Sequence, residues 1–290
     1  MYKNYRPIHS DFIVHWTGRD IDQAEDPKWN ETHSVKTNRH VTHLYLDRLK
    51  SILKFGLWMT TDEEESYIKY NNNTYKRPLV ARTCFTELKL SEVRNHAANY
   101  GRLGIGFKRL FIFNRLGGPM SYYMGGRDNW FLLPFLDHGN CRANEVFTNF
   151  LKPMAKRSED GTLEYKFYDE SEWRIVYSHD IENYLVEHEL DKICNYFVKA
   201  EKVPGFNEYI TSCGLETKPD YILPIRSKWF SMIIYPSLGC KVEAEADQEI
   251  RSLINSIKCT KQPNSDYTEL AGAEKHSKPI EINLDSCRHF

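Results

Sequence analysis

No stretch of this chain stays apolar for about 18 residues, so no membrane-spanning helix is expected. The opening residues, MYKNYRPIHSDF, contain neither an apolar segment nor a small-residue cleavage pattern, and a cytoplasmic protein is therefore expected. Net charge is also lacking, because 39 Lys and Arg stand against 40 Asp and Glu, leaving -1. Such a balance gives no global attraction to nucleic acid or anionic lipid. Binding of that kind would need a local patch, such as Lys108-Arg109 with Arg115, or Arg226 with Lys228. The seven cysteines include no Cys-x-x-Cys pair, which argues against a dithiol or zinc-ribbon site and for reduced, buried thiols. His138 and Cys141 stand close together, but no second close pair accompanies them and no metal site is expected. No internal repeat is visible.

What is present suits a folded globular protein: 290 residues, 41% hydrophobic and 13% aromatic, suffice for a sizeable core. Phe12 to Trp16 reads as a first strand, and the polar stretch from Thr17 to Arg39 as a loop or lid. Between Leu44 and Leu57, the residues Leu46, Leu49, Ile52, Leu53 and Leu57 recur at helical spacing, with Gly56 as a stop. Asp62 to Asn73, acidic and then asparagine-rich, reads as an exposed loop.

The segment from Leu79 to Phe113 reads as strand, helix, glycine turn and strand. Its helix, Ser91 to Asn99, puts His96 and Tyr100 on one face, and Gly101 ends it. Gly104 and Gly106 flank Ile105 in the next strand, where another backbone or a flat ligand can approach closely; a tight helix-to-strand corner also explains them. Met120 to Met124 reads as a short strand, and residues 128–155 as helical in parts. Tyr165 to Phe167, Trp173 to Tyr177, Tyr221 to Ile225 and Met232 to Tyr235 read as strands, and Ala244 to Ile257 as a closing helix. Strands and helices mixed without strict alternation predict an α+β fold with a split, mostly antiparallel sheet and packed helices. One domain over residues 1–258 is expected, followed by a polar, disordered tail over 259–290.

Three blocks carry a family resemblance. Phe85-Thr86-Glu87, Leu90-Ser91-Glu92, His96, Tyr100-Gly101 and Gly104-Ile105-Gly106-Phe107 resemble the AbiGi-type abortive phage-resistance proteins and the families around them. Tyr168-Asp169-Glu170-Ser171-Glu172-Trp173-Arg174 is similar to the Glu-Trp-Arg signature of that group, and His15-Trp16-Thr17-Gly18-Arg19 to its opening element. A second resemblance is to DNA-targeting ADP-ribosyltransferases. There a His-x-Thr element precedes a helix ending in Gly-Leu, as His43, the apolar helix and Gly56-Leu57 do here, although the His-x-Thr itself sits at His15 and Thr17. These resemblances imply an ADP-ribosyltransferase-like fold, NAD as co-substrate, a macromolecular acceptor (protein or nucleic acid) and a role in prokaryotic antiviral defence. A toxin–antitoxin partner is the non-catalytic alternative on the same scaffold.

The residue roles that follow are those the resemblance implies. Glu172 and Glu170 are the candidate catalytic carboxylates, and His15, Thr17, Thr86 and Tyr100 the candidate NAD contacts. Two glutamates spaced by two in a strand share a face, where one can contact the ribose and the other orient an acceptor, each close enough to perturb its neighbour's titration. A carboxylate near the anomeric carbon stabilises developing oxocarbenium charge. Each residue also has a plainer reading. The glutamates fit a solvated acidic hairpin with Arg174 paired to one of them, His15 a core-edge histidine, Thr86 a helix cap and Tyr100 a core aromatic. Arg174 and His179 match the Arg-x4-His spacing of HEPN ribonucleases, but Ile175-Val176-Tyr177 between them is strand-like where that pair needs a helix.

Overall fold

The computed structural model of the protein describes residues 12–28, 39–61, 67–70, 73–76, 80–87, 92–123, 146–157, 163–188, 196–214, 218–225, 229–257 and 278–289. They form a mixed α/β structure with mostly antiparallel strands and packed helices. The chain divides into two compact units. The first takes Met1–Leu57, Leu88–Phe111 and Pro224–Phe290, and the second Trp58–Glu87 and Ile112–Leu223.

In the first unit, the strand Phe12–Thr17 pairs antiparallel with Leu103–Lys108, which pairs antiparallel with Phe230–Tyr235. Ile280–Asn283 then adds in parallel to Phe230–Tyr235. Side-chain alternation sends Val14 and Trp16 to one face, where they build a core with Val93, Ala97, Met232, Ile234, Leu284 and Cys287. Gly104 and Gly106 make that packing possible. A Cβ on Gly106 would lie 2.6 Å from the Cβ of Met232, so the unit's own core occupies the space these glycines leave.

The helix Arg39–Phe55 starts ahead of the expected Leu44 and buries Val41, Tyr45, Leu46, Leu49, Ile52 and Leu53 at three- and four-residue spacing. Gly56, at φ 115°, follows its last residue. Arg19–Glu25 is helical where a loop was expected. Its polar composition hides two buried positions, Ile21 and Asp22, and Asp22 is held by Arg102 at 2.8 Å. Residues 29–38 of that stretch lie outside the described residues.

The expected closing helix is two helices, Leu238–Ala246 and Gln248–Ser256. Asp247 breaks them because its carboxylate caps the second, accepting from the N–H groups of Glu249 and Ile250 at 2.9 and 3.1 Å. In the expected tail, residues 258–277 lie outside the described residues, whereas Ile280–Asn283 is a strand. Glu281 there accepts from Tyr235 at 2.6 Å and from both terminal nitrogens of Arg251 at 2.7 Å. The polar composition concealed a short apolar sequence that the sheet could take up.

The second unit contains the strand Arg82–Thr86, antiparallel to Glu172–Val176, which pairs in turn with Gly118–Pro119. Ser121–Tyr123 runs parallel to Leu151–Pro153, a strand inside the stretch expected to be partly helical. Residues 124–145, including His138 and Cys141, lie outside the described residues. Tyr67–Tyr70 pairs antiparallel with Asn73–Lys76, in and just after the stretch Asp62 to Asn73 expected to be an exposed loop. The helix His179–Glu187 begins at Ser178, whose hydroxyl accepts from the Ile181 N–H at 3.1 Å. Among the described residues no helix is long and apolar enough to cross a membrane.

Candidate carboxylate site

The candidate catalytic residues lie in the second unit. Glu172 opens the Glu172–Val176 strand, directly opposite Thr86 in register, while Trp173 faces Phe85 and Arg174 faces Cys84. Glu170 does not share that strand, contrary to the expectation of two same-face strand positions. It ends a 3-10 turn over Phe167–Glu170, and Ser171, at φ 45°, redirects the backbone between the two glutamates. They converge nonetheless, through a residue the sequence did not single out.

Lys152, in the Leu151–Pro153 strand, donates to Glu170 Oε2 at 2.8 Å and to Glu172 Oε2 at 2.7 Å. Its ammonium also sits 4.6 Å from the centroid of the Phe167 ring. The second oxygen of Glu172, Oε1, accepts from Arg174 Nε at 2.6 Å, and Arg174 Nη1 donates to the Asn149 carbonyl at 2.9 Å. Above the pair, the Glu172 backbone N–H donates to the Tyr122 hydroxyl at 3.1 Å.

All four charged side chains are buried: Lys152 is 8% exposed, Glu170 3%, Glu172 6% and Arg174 1%. The pairing of Arg174 with a glutamate was expected and is present, whereas the solvated hairpin of the same expectation is replaced by an enclosed network. Cations and carboxylates are paired directly here, which is the condition under which ionised groups persist out of water. Burial by itself would raise the Glu172 carboxyl. The guanidinium of Arg174 and the ammonium of Lys152 outweigh it and hold Glu172 well below the usual carboxylate range. On the neighbouring strand, burial and the Glu172 charge push the Cys84 thiol up to about 12, so it remains a neutral thiol beside the carboxylate.

Three of the candidate NAD contacts lie in the first unit. His15 and Thr17 alternate with Trp16 along Phe12–Thr17 and therefore share one face of that strand. The Thr17 hydroxyl accepts from Arg48 at 3.0 Å. Tyr100 packs against the core that contains Val14 and Trp16, on the opposite face, and its ring stacks on His96 with centroids 4.5 Å apart. The structure thus brings His15 and Thr17 together and sets Tyr100 apart from them. Thr86 belongs to a strand and does not cap the helix Val93–Tyr100, whose N-cap is Glu92.

No group of three or more His, Cys, Asp or Glu side chains is placed to hold a metal ion among the described residues. The HEPN spacing also separates in structure. Arg174 is buried in a strand against Glu172, whereas His179 starts the next helix with its side chain 76% exposed.

No family model, curated protein or solved structure matches this chain.

Lys152 lacked any sequence signal. It falls between Leu151 and Pro153, 18 positions from Glu170, and the antiparallel strands Ala155–Arg157 and Leu163–Lys166 lie between them in sequence. No helical or strand period links residues that far apart.

Proposed function

We propose that this protein is an ADP-ribosyltransferase-like enzyme of prokaryotic phage defence, using NAD as donor and Glu172 as its central carboxylate. The observation that supports this reading is the environment of Glu172, held as an anion by Arg174 and Lys152 at the start of a strand, opposite Thr86. NAD supplies an ADP-ribosyl group whose bond to nicotinamide breaks with positive charge growing on the ribose. A carboxylate that stays ionised in a low-dielectric setting stabilises such charge more strongly than one in water. The sequence resemblance to the AbiGi-type proteins supports a role in antiviral defence, with a protein or nucleic acid as acceptor.

A second reading has a specific observation in its favour. Both Glu172 oxygens are already bonded to buried cations, as in a purely structural network, and this suits a non-catalytic partner in a toxin–antitoxin pair.

The experiment is incubation of purified protein with labelled NAD and a cell extract, following nicotinamide release and label transfer, beside the Glu172→Gln variant checked for folding. Release or transfer lost in a folded variant supports the enzyme. Neither signal from wild type supports the partner.

A further inference from the structure

We propose that Ser171 is the positioning residue of the carboxylate pair, its left-handed backbone bringing Glu170 and Glu172 onto one ammonium. Ser171 stands at φ 45° and is exposed, between two buried glutamates. Left-handed backbone is unfavourable for a residue with a Cβ and persists where the surrounding structure over-determines it. With the serine side chain in solvent, that constraint acts through the backbone and the two neighbours.

The ladder between Arg82–Thr86 and Glu172–Val176 ends here, where the Glu87 N–H donates to the Ser171 carbonyl at 3.1 Å. An extended residue at 171 would continue the strand and set Glu170 about 7 Å along it from Glu172. The left-handed residue instead joins the strand to the 3-10 turn Phe167–Glu170, which packs beside Ala155–Arg157, the strand that follows Leu151–Pro153. Glu170 thereby meets Lys152, which bonds to Oε2 of both glutamates at 2.8 and 2.7 Å.

Strain recurs on the other side of the same segment. Among the described residues, the other non-glycine residue at positive φ is Leu116, at 53°. It delivers Gly117 and Gly118 against Arg174: a Cβ on Gly117 would lie 2.5 Å from the Arg174 carbonyl, and Gly118 is opposite Arg174 in register. Just beyond, the Met120 N–H donates to the Glu172 carbonyl at 2.9 Å. Both left-handed residues therefore border Glu172 to Arg174, and strain of this kind gathers where a site's geometry is imposed.

The kinetic consequence rests on the ADP-ribosyl transfer reading, whereas the coupling of Ser171 to Glu170 does not, so the two are measured separately. The full chain is prepared as wild type, Ser171→Asn, Ser171→Ala and Ser171→Val, each with Glu170 intact and with Glu170→Leu, and unfolded in urea. Asparagine enters the left-handed region readily, alanine less so and β-branched valine least. With Glu170 intact, the midpoint should hold in Ser171→Asn and fall through Ser171→Ala to Ser171→Val. In the Glu170→Leu background the bond to Lys152 is gone and the turn can relax, so the fall to Ser171→Val should shrink to about half or less. Ser171→Ala serves in place of Ser171→Val, and Glu170→Gln in place of Glu170→Leu, where a variant does not fold. Equal midpoints for Ser171→Val and Ser171→Asn, or a fall of the same size in both backgrounds, overturn the proposal. Where wild type turns over NAD, Ser171→Val lowers kcat about 10- to 100-fold with little change in KM, and Ser171→Asn restores it. A folded Ser171→Val with wild-type kcat also overturns the proposal. Absence of turnover in wild type counts against the NAD reading and leaves the coupling result standing.

Discussion

Arg174 Nε lies 2.6 Å from Glu172 Oε1, a pairing of two residues on the same face of one strand with both side chains buried. The strand period places the two side chains side by side, and enclosure makes each dependent on the other. Arg174→Met removes the bond to Glu172 Oε1 and the bond to the Asn149 carbonyl. The expected cost is about 3–5 kcal/mol, the range for breaking one partner out of a buried pair. Urea denaturation of the two proteins measures it, and a cost under about 1 kcal/mol would show that the pair behaves like an exposed one.

Stability should also depend on pH with a definite sign. Glu172 titrates lower in the folded chain than in the unfolded one, since Arg174 and Lys152 prevail over burial. Such a group adds stability that is complete above the unfolded value of about 4.3 and is lost as pH falls toward the folded value. Asp247, lowered by its bond to Lys50, acts in the same direction. So does Glu281, where burial works the other way but Arg251 and Tyr235 prevail. The urea midpoint should therefore be level near neutrality and drop progressively below about pH 5. Glu172→Gln should flatten part of that drop, provided the variant folds.

Gly101 has φ 102°, and a Cβ there would collide with the Thr17 carbonyl and the Arg19 N–H. Gly101→Ala combines that clash with a backbone conformation L-residues avoid, for an expected loss of about 1–3 kcal/mol. Gly205, also at positive φ but with nothing within 4 Å of a Cβ, is the control and should lose less on the same substitution. Thermal unfolding of both variants distinguishes steric overlap from backbone strain alone.

Asp22 is fully buried and held by Arg102 at 2.8 Å. Asp22→Ala leaves the guanidinium, 14% exposed, without that carboxylate, and a loss of about 3–5 kcal/mol is expected in urea denaturation. Removing Arg102 as well should recover part of that loss, which a double-mutant cycle would read directly.

Truncation after Ile257 removes the strand Ile280–Asn283 and withdraws Leu284 and Cys287 from the core they share with Val14 and Trp16. The shortened chain should unfold at lower urea and expose apolar surface that binds a hydrophobic dye. An unchanged midpoint would mean that the strand contributes nothing to the first unit's stability.

Local order in this protein was legible in its residues. Leu46, Leu49, Ile52 and Leu53 carry the period of the helix Arg39–Phe55, and the run from Met232 to Tyr235 marks the strand observed over Phe230–Tyr235. Gly56 and Gly101 mark stops because the backbone there needs a conformation that glycine alone takes without strain. The pairing of Arg174 with a neighbouring glutamate was legible for the same reason, since residues two apart in a strand meet without help from the rest of the chain. The helix Arg19–Glu25 and the strand Ile280–Asn283 were hidden because their anchors, Arg102 for the one and Tyr235 with Arg251 for the other, are remote in sequence. Tertiary structure alone decided that Lys152 joins Glu170 to Glu172, that the network is enclosed, and that Tyr100 faces the core and not the side of His15 and Thr17. Periodicity fixes which way a side chain points from its own backbone; which remote group it meets there depends on the path of the chain.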